Sequence, residues 1–288
     1  MLHGGQQNST DDVSDRHASW WRLALMARGL RRFARKNDLS LHLLQYRVRG
    51  WNGSDDPAPV RDARWALDRL QDRYPGVPVV LVGHSMGGMT VMSLAAHRPE
   101  LFGPRVVGVV LVSTAAGRVA EAMLPLPVRA TGLLTGRVVP RVTRVMTRRK
   151  DTLEATRRVG SDLAFSLIRR MGFGTSPSPA QVEFIERIIA ATPIEVIAAY
   201  VPTFTTHDKY EALDVVGRVP TLVLVGDRDR VVPPAQSKEL AARTPGSELV
   251  VFDGAGHMLT MERAALVNLH LRAFLRRVGR AARASRGA

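Results

Sequence analysis

The stretch VGHSMGG, residues 82–88, sets a serine between two glycines at the point where an apolar run ends. The run VPVVLV is typical of a buried parallel strand, and the residues after the serine are typical of a helix. A strand that turns directly into a helix leaves little room for side chains, and Gly83 and Gly87 carry none. Ser85 would then stand clear of the sheet at a helix N-terminus, which favours developing negative charge. This Gly-x-Ser-x-Gly pattern predicts a nucleophile elbow with Ser85 as the nucleophile.

A serine hydroxyl needs a general base that is itself oriented by an acid. Two later segments follow apolar runs and supply such groups, GDRDRVVPP at 226–234 and GAGHMLTMER at 254–263. His257 is the predicted base, and by position alone either Asp227 or Asp229 can be the acid. His42, His84, His97 and His270 fit packing or surface roles better, whereas His207 lies in a segment that can line a pocket.

Acyl transfer also requires two N–H donors for the oxygen that becomes negative. The amide of Met86, directly after the serine, is one predicted donor. The amide of Gly5, in the HGG stretch at residues 3–5, is the other.

The rest of the sequence alternates short β-branched runs with helical patterns, which predicts an α/β fold with a mainly parallel sheet and helices on both faces. The core is expected at 1–115 and 218–278, with a helical cap inserted at 116–217 and a frayed basic tail at 279–288. The predicted strands are 39–48, 77–82, 105–114, 220–226 and 247–253, and the predicted core helices are 57–74, 86–99, 234–244 and 262–278.

Composition narrows the class of protein. The 288 residues are 45% apolar and 23% charged, as in soluble globular domains. The chain has no cysteine, which excludes disulfides and a thiol nucleophile. It has no apolar stretch long enough to cross a membrane, and its N-terminus lacks the pattern of a signal peptide, so a cytoplasmic protein is expected.

The net charge of +15 raises the question of an anionic partner. Only four of the 41 basic residues are lysines, a skew typical of a GC-rich genome, and no nucleic-acid motif accompanies the charge. We therefore expect no specific nucleic-acid partner. The predicted cap carries arginines that either face solvent or rest weakly on an anionic membrane surface, namely Arg137, Arg141, Arg144, Arg148 and Arg149.

The ordered set HGG (3–5), GHSMGG (83–88), GDRD (226–229) and GAGH (254–257) resembles the α/β-hydrolase superfamily. It looks most like bacterial serine esterases and lysophospholipase-like or monoacylglycerol-lipase-like hydrolases. The resemblance implies Asp229 as the acid, and an eight-stranded sheet with a helical cap after the sixth strand. It also implies hydrolysis of a small acyl ester through an acyl-enzyme, without metal or organic cofactor. Medium-chain acyl esters or monoacylglycerols are the hypothesised substrates.

The chain departs from that family at two places. The strand that should precede HGG is reduced to Met1 and Leu2, and the family places it between the strands resembling 39–48 and 77–82. Its loss predicts an opening in the sheet, and it indicates a start codon placed too late or a truncated chain. In RGWNGS (49–54) the second glycine comes one residue later than the family pattern.

Other functions remain open from the sequence. The same triad serves peptidases, thioesterases and perhydrolases, and a hydrolase fold can also carry a non-catalytic ligand-binding protein. Nucleic-acid binding would rest on charge alone.

Overall fold

A computed structural model describes residues 1–2, 18–47, 57–118, 169–190 and 207–287. The helices are α1 (Ala18–Lys36), α2 (Ala58–Arg73), α3 (Met86–His97), α4 (Pro179–Ala190), α5 (Leu213–Val216), α6 (Pro234–Arg243), α7 (Leu259–Glu262) and α8 (Ala264–Gly287). The strands are β1 (Val79–His84), β2 (Val106–Val112), β3 (Thr221–Gly226) and β4 (Glu248–Phe252). A 3₁₀ turn, Pro99–Leu101, follows α3.

The four strands form one parallel sheet in the order β1-β2-β3-β4. Their side chains alternate between the two faces, because successive residues of a strand point to opposite sides. In β2, Val109 and Leu111 enter one apolar cluster while Val110 and Val112 enter the other, and all four are fully buried. Both faces of the sheet are therefore covered, as the continuous apolar runs predicted.

Each cluster joins the sheet to its own layer of helices. The first contains side chains from α2, α3, α5 and α6, for example Leu67, Leu94 and Leu240. The second contains side chains from α1, α7 and α8, for example Leu30 and Phe274. The prediction of a parallel sheet with helices on both faces is thus confirmed.

Most predicted core elements are present within a few residues of their expected bounds. The helix predicted at 57–74 is α2, with Pro57 as its N-cap, and the helix predicted at 86–99 is α3, which ends before Pro99. Pro is favoured at a helix start and cannot continue a helix, so both boundaries follow from the sequence. Helix α1 was not predicted.

The predicted strand at 39–48 is wrong for the described residues 39–47, which form no strand. Among the described residues, Met1 and Leu2 alone lie between this segment and β1. On the β1 side, the Leu2 amide donates to Val82 O (2.8 Å). On the other side, the Met1 amine donates to His42 O (2.8 Å) and the Met1 carbonyl accepts from Leu44 N (3.1 Å). Within the described residues, a neighbour of two residues offers too few ladder hydrogen bonds to make segment 39–47 a strand.

The C-terminal segment also differs from the prediction, because α8 continues to Gly287 instead of ending at Val278 with a frayed tail. Alanine and arginine are strong helix formers, and Ala282 is buried one turn beyond Val278.

Within the segment predicted as the cap, the described residues include the helix α4. The five cap arginines, the HGG stretch and RGWNGS lie outside the described residues. None of the described helices combines the length and apolarity needed to cross a membrane.

Candidate active site

The turn from β1 to α3 holds Ser85 in a backbone conformation that L-residues rarely adopt, with φ 55° and ψ −122°. Such strain persists only where the surroundings fix it. Here the Ser85 amide donates to Val112 O (2.9 Å), and its carbonyl accepts from Thr114 Oγ1 (2.7 Å) and Gly88 N (2.9 Å). The end of β2 therefore holds the turn on one side, and Ser85 itself stays half-buried.

Two glycines allow the backbone to pass this closely. A Cβ on Gly83 would lie 2.5 Å from Gly87 O, and one on Gly88 would lie 2.6 Å from the Thr114 side chain. Gly83 was predicted from the motif. The roles of Gly88 and Thr114 were missed, because they depend on the neighbouring strand.

His257 and Asp229 form a buried pair, with His257 Nδ1 at 3.0 Å from Asp229 Oδ2 and each residue 3% exposed. The other carboxylate oxygen, Oδ1, accepts from the amides of Val231 (3.0 Å) and Val232 (2.8 Å). A carboxylate only accepts, so it favours the proton on Nδ1 and leaves Nε2 with its lone pair. Asp227, the other candidate acid, is exposed, whereas Asp229 is the carboxylate that contacts His257.

The loops that carry the acid and the base lie against each other. Arg228 N donates to Ala255 O (2.9 Å), and Asp227 N donates to Phe252 O (3.1 Å). A Cβ on Gly226 would lie 2.2 Å from Ala255 O, so only glycine permits this approach. The glycine of GDRD thus brings the two loops together.

His84 links the base loop to the elbow. Its Nε2 lies 3.2 Å from the carbonyl oxygen of His257, and the centroids of the two rings are 5.2 Å apart. Since a carbonyl only accepts, His84 Nε2 carries a proton. Ser85, Asp229 and His257 follow β1, β3 and β4 at the same edge of the sheet, where ligands bind in open α/β folds.

Of the two predicted oxyanion donors, one falls within the described residues. Met86 is the first residue of α3, and the amides of a helix's first turn have no intrahelical acceptor. Gly5 lies outside the described residues, although Leu2 pairs with Gly83 beside the elbow.

The histidines that the sequence did not favour as the base lie in other surroundings. His97 lies 2.6 Å from Ser93 O through Nδ1, and His270 packs edge-on against Phe252. His207 is buried, and burial lowers its pKa to about 4. Among the described residues, no three His, Asp, Glu or Cys side chains gather where they could hold a metal ion.

The sequence matches a known protein family. The chain belongs to the alpha/beta hydrolase fold family, whose sequence profile matches residues 15–264. It is 28% identical over 223 residues to the monoglyceride lipase of Mus musculus, a match that covers 75% of this chain. The chain spans 63% of that relative's length, which is less than two thirds.

Two solved structures are similar to this chain. A thermophilic esterase from Thermogutta terrifontis is 26% identical with a TM-score of 0.53, over 77% of this chain and 72% of the esterase. A bromoperoxidase from Bacillus anthracis is 17% identical with a TM-score of 0.64, over 96% and 94% of the two chains. At that identity the second likeness concerns the fold alone.

Proposed function

We propose that this protein is a serine hydrolase that cleaves carboxylic esters, with Ser85 as nucleophile, His257 as general base and Asp229 as the orienting acid. The observation that carries the proposal is the buried Asp229–His257 pair whose loop bonds to His84, the residue next to Ser85. The strained backbone of Ser85 adds support, because strain of this kind collects at functional sites.

In the proposed reaction, Ser85 Oγ attacks the ester carbonyl while His257 Nε2 takes its proton. The carbonyl oxygen becomes an oxyanion that the Met86 and Gly5 amides stabilise. As the C–O bond of the ester breaks, His257 returns the proton to the leaving alkoxide, which departs as an alcohol. A water molecule then attacks the acyl-enzyme with His257 again as base, releasing the acid and restoring Ser85.

Asp229 acts in this scheme by position and charge. Its contact with Nδ1 keeps Nε2 available as the acceptor and stabilises the imidazolium formed when the proton arrives. The two backbone N–H donors on Oδ1 hold the carboxylate against rotation.

The proposed substrates are esters of medium-chain acids or monoacylglycerols. The support is the likeness to the mouse monoglyceride lipase and to the thermophilic esterase. An ester series that peaks at acetate and falls steadily with acyl length would remove this part of the proposal while leaving the chemistry intact.

The test is fluorophosphonate labelling at neutral pH beside turnover of p-nitrophenyl esters of increasing acyl length. We expect the wild type to be labelled and active, and Ser85→Ala to lose both. Ser247→Ala is the matched control, since Ser247 bonds to Ala241 O before β4 at the opposite edge of the sheet. A folded wild type that neither labels nor hydrolyses any ester contradicts the proposal and favours a ligand-binding role.

A further inference from the structure

Residues 169–175, here called the strap, belong to the predicted cap segment and lie against both loops of the Asp229–His257 pair. On the base side, Met258 N donates to Gly172 O (2.9 Å). On the acid side, Arg230 donates to Arg170 O (2.7 Å) and Arg228 to Gly174 O (3.3 Å). The strap thus bonds to the residues that flank the acid and to one that flanks the base.

Glu262 joins the strap to the base loop through a single carboxylate. Its Oε1 accepts from Gly256 N, directly before His257, at 2.9 Å. Its Oε2 accepts from three donors of the strap, Gly174 N, Thr175 N and Thr175 Oγ1, each at 2.9 Å. Hydrogen bonds to an ionised acceptor are the stronger kind, so these four bonds make a firm bridge.

The two backbones that Glu262 bridges are already in contact. A Cβ on Gly256 would lie 2.4 Å from Gly174 N, and one on Gly174 would lie 2.5 Å from Ala255 C. Next to them, Met258 packs with Phe173 of the strap and with Val182 and Ile185 of α4. A shift of the base loop would therefore also displace the strap and α4.

We propose that Glu262 is a positioning residue for His257, which it holds in line with Ser85 by fastening the base loop to the strap. The inference rests on the proposed function and extends it, because the position of the cap-derived strap then sets how well the base is aligned. Glu262 touches no reacting atom and acts only through Gly256 and the strap.

Glu262→Gln tests the proposal with little change in volume. An amide group presents acceptor and donor on opposite sides, so it sets its NH₂ against the donors of either Gly256 or the strap and opens the bridge. Glu248→Gln is the matched control, since Glu248 begins β4 at the far edge of the sheet and pairs with exposed Arg277.

We expect Glu262→Gln to lower kcat for a p-nitrophenyl ester by at least about tenfold and to slow fluorophosphonate labelling similarly, with KM within about threefold. A loss confined to kcat separates misalignment of the base from weaker substrate binding. Amide exchange should accelerate together in 172–175 and 254–258. Glu248→Gln should stay within about twofold of wild type in kcat.

The outcomes separate the two proposals. A labelled, active wild type with a kcat of Glu262→Gln within about twofold overturns the positioning role alone. A loss of activity in Glu262→Gln that merely follows the fraction of unfolded protein also overturns it. A wild type that neither labels nor turns over overturns the proposed function, and the positioning role with it, even if the exchange data show that the bridge exists.

Discussion

Replacement of Asp229 by asparagine separates the two jobs of a carboxylate whose oxygens have different partners. The amide oxygen should stay on the side of Val231 and Val232, because a rotated NH₂ would meet their two N–H donors. The NH₂ then faces His257 Nδ1, which can pair with it only as an acceptor. The proton of the neutral imidazole moves to Nε2, and that tautomer cannot take the proton of Ser85.

The expected magnitude follows from this change of tautomer. In a serine protease triad the same substitution lowers kcat by roughly 10⁴, which corresponds to about 5 kcal/mol of transition-state stabilisation. The folded state should lose little, about 1 kcal/mol, because the asparagine side chain would keep the hydrogen bonds to both valine amides and to His257 in the same volume. Activity should therefore collapse while the melting temperature changes by a few degrees at most.

The assay is kcat for p-nitrophenyl ester hydrolysis, read beside a thermal melt, for Asp229→Asn and Asp227→Asn. Asp227 is exposed two residues earlier in the same loop, so its variant controls for charge and loop effects. The reasoning is refuted if Asp229→Asn retains a kcat within about tenfold of wild type, or if Asp227→Asn loses as much.

Four further substitutions test the site and the packing of other parts of the fold. Gly83→Ala should lower the free energy of unfolding by about 1–3 kcal/mol, because its Cβ meets backbone atoms. Gly279→Ala in α8 should raise it by about 0.5–1 kcal/mol, because the new Cβ would make only an ordinary contact, 3.7 Å from Arg283 Nη2. Urea unfolding measures both. The pKa of His207 is about 4 in the folded protein. As the pH falls below about 6.5, only the unfolded chain binds a proton at His207, so the free energy of unfolding should drop by up to about 3 kcal/mol towards pH 4. His207→Gln should flatten this dependence on pH. Asp62→Ala should cost about 1–3 kcal/mol in a thermal melt, since buried Asp62 accepts from the Arg47 amide at 2.8 Å.

The sequence predicted the elements whose signals are local. The runs that form β1 to β4 are continuous and apolar. A proline marks the start of α2 and another follows the end of α3. The positions of these strands and helices therefore needed no tertiary information. Family resemblance preferred Asp229 to Asp227, a choice that position alone left open.

What the sequence did not predict depends on partners distant along the chain. The segment 39–47 has the composition of a strand, but no strand of the described residues pairs along its length. Glu262 carries no signal of its own, because its bonds to Gly174 and Thr175 join residues 88 and 87 positions apart. Thr114 likewise becomes part of the elbow only when β2 lies beside β1.

The sequential order of the four parallel strands bears on how the chain folds. The β3–α6–β4 unit is continuous, and its two loops already contain Asp229 and His257, only 28 positions apart. Pairing β2 with β3 instead requires closure of the whole segment between Val112 and Thr221, a larger entropic cost that slows folding. The acid–base pair can therefore form early in the C-terminal part, and the nucleophile should join it only at the late docking of β2 onto β3.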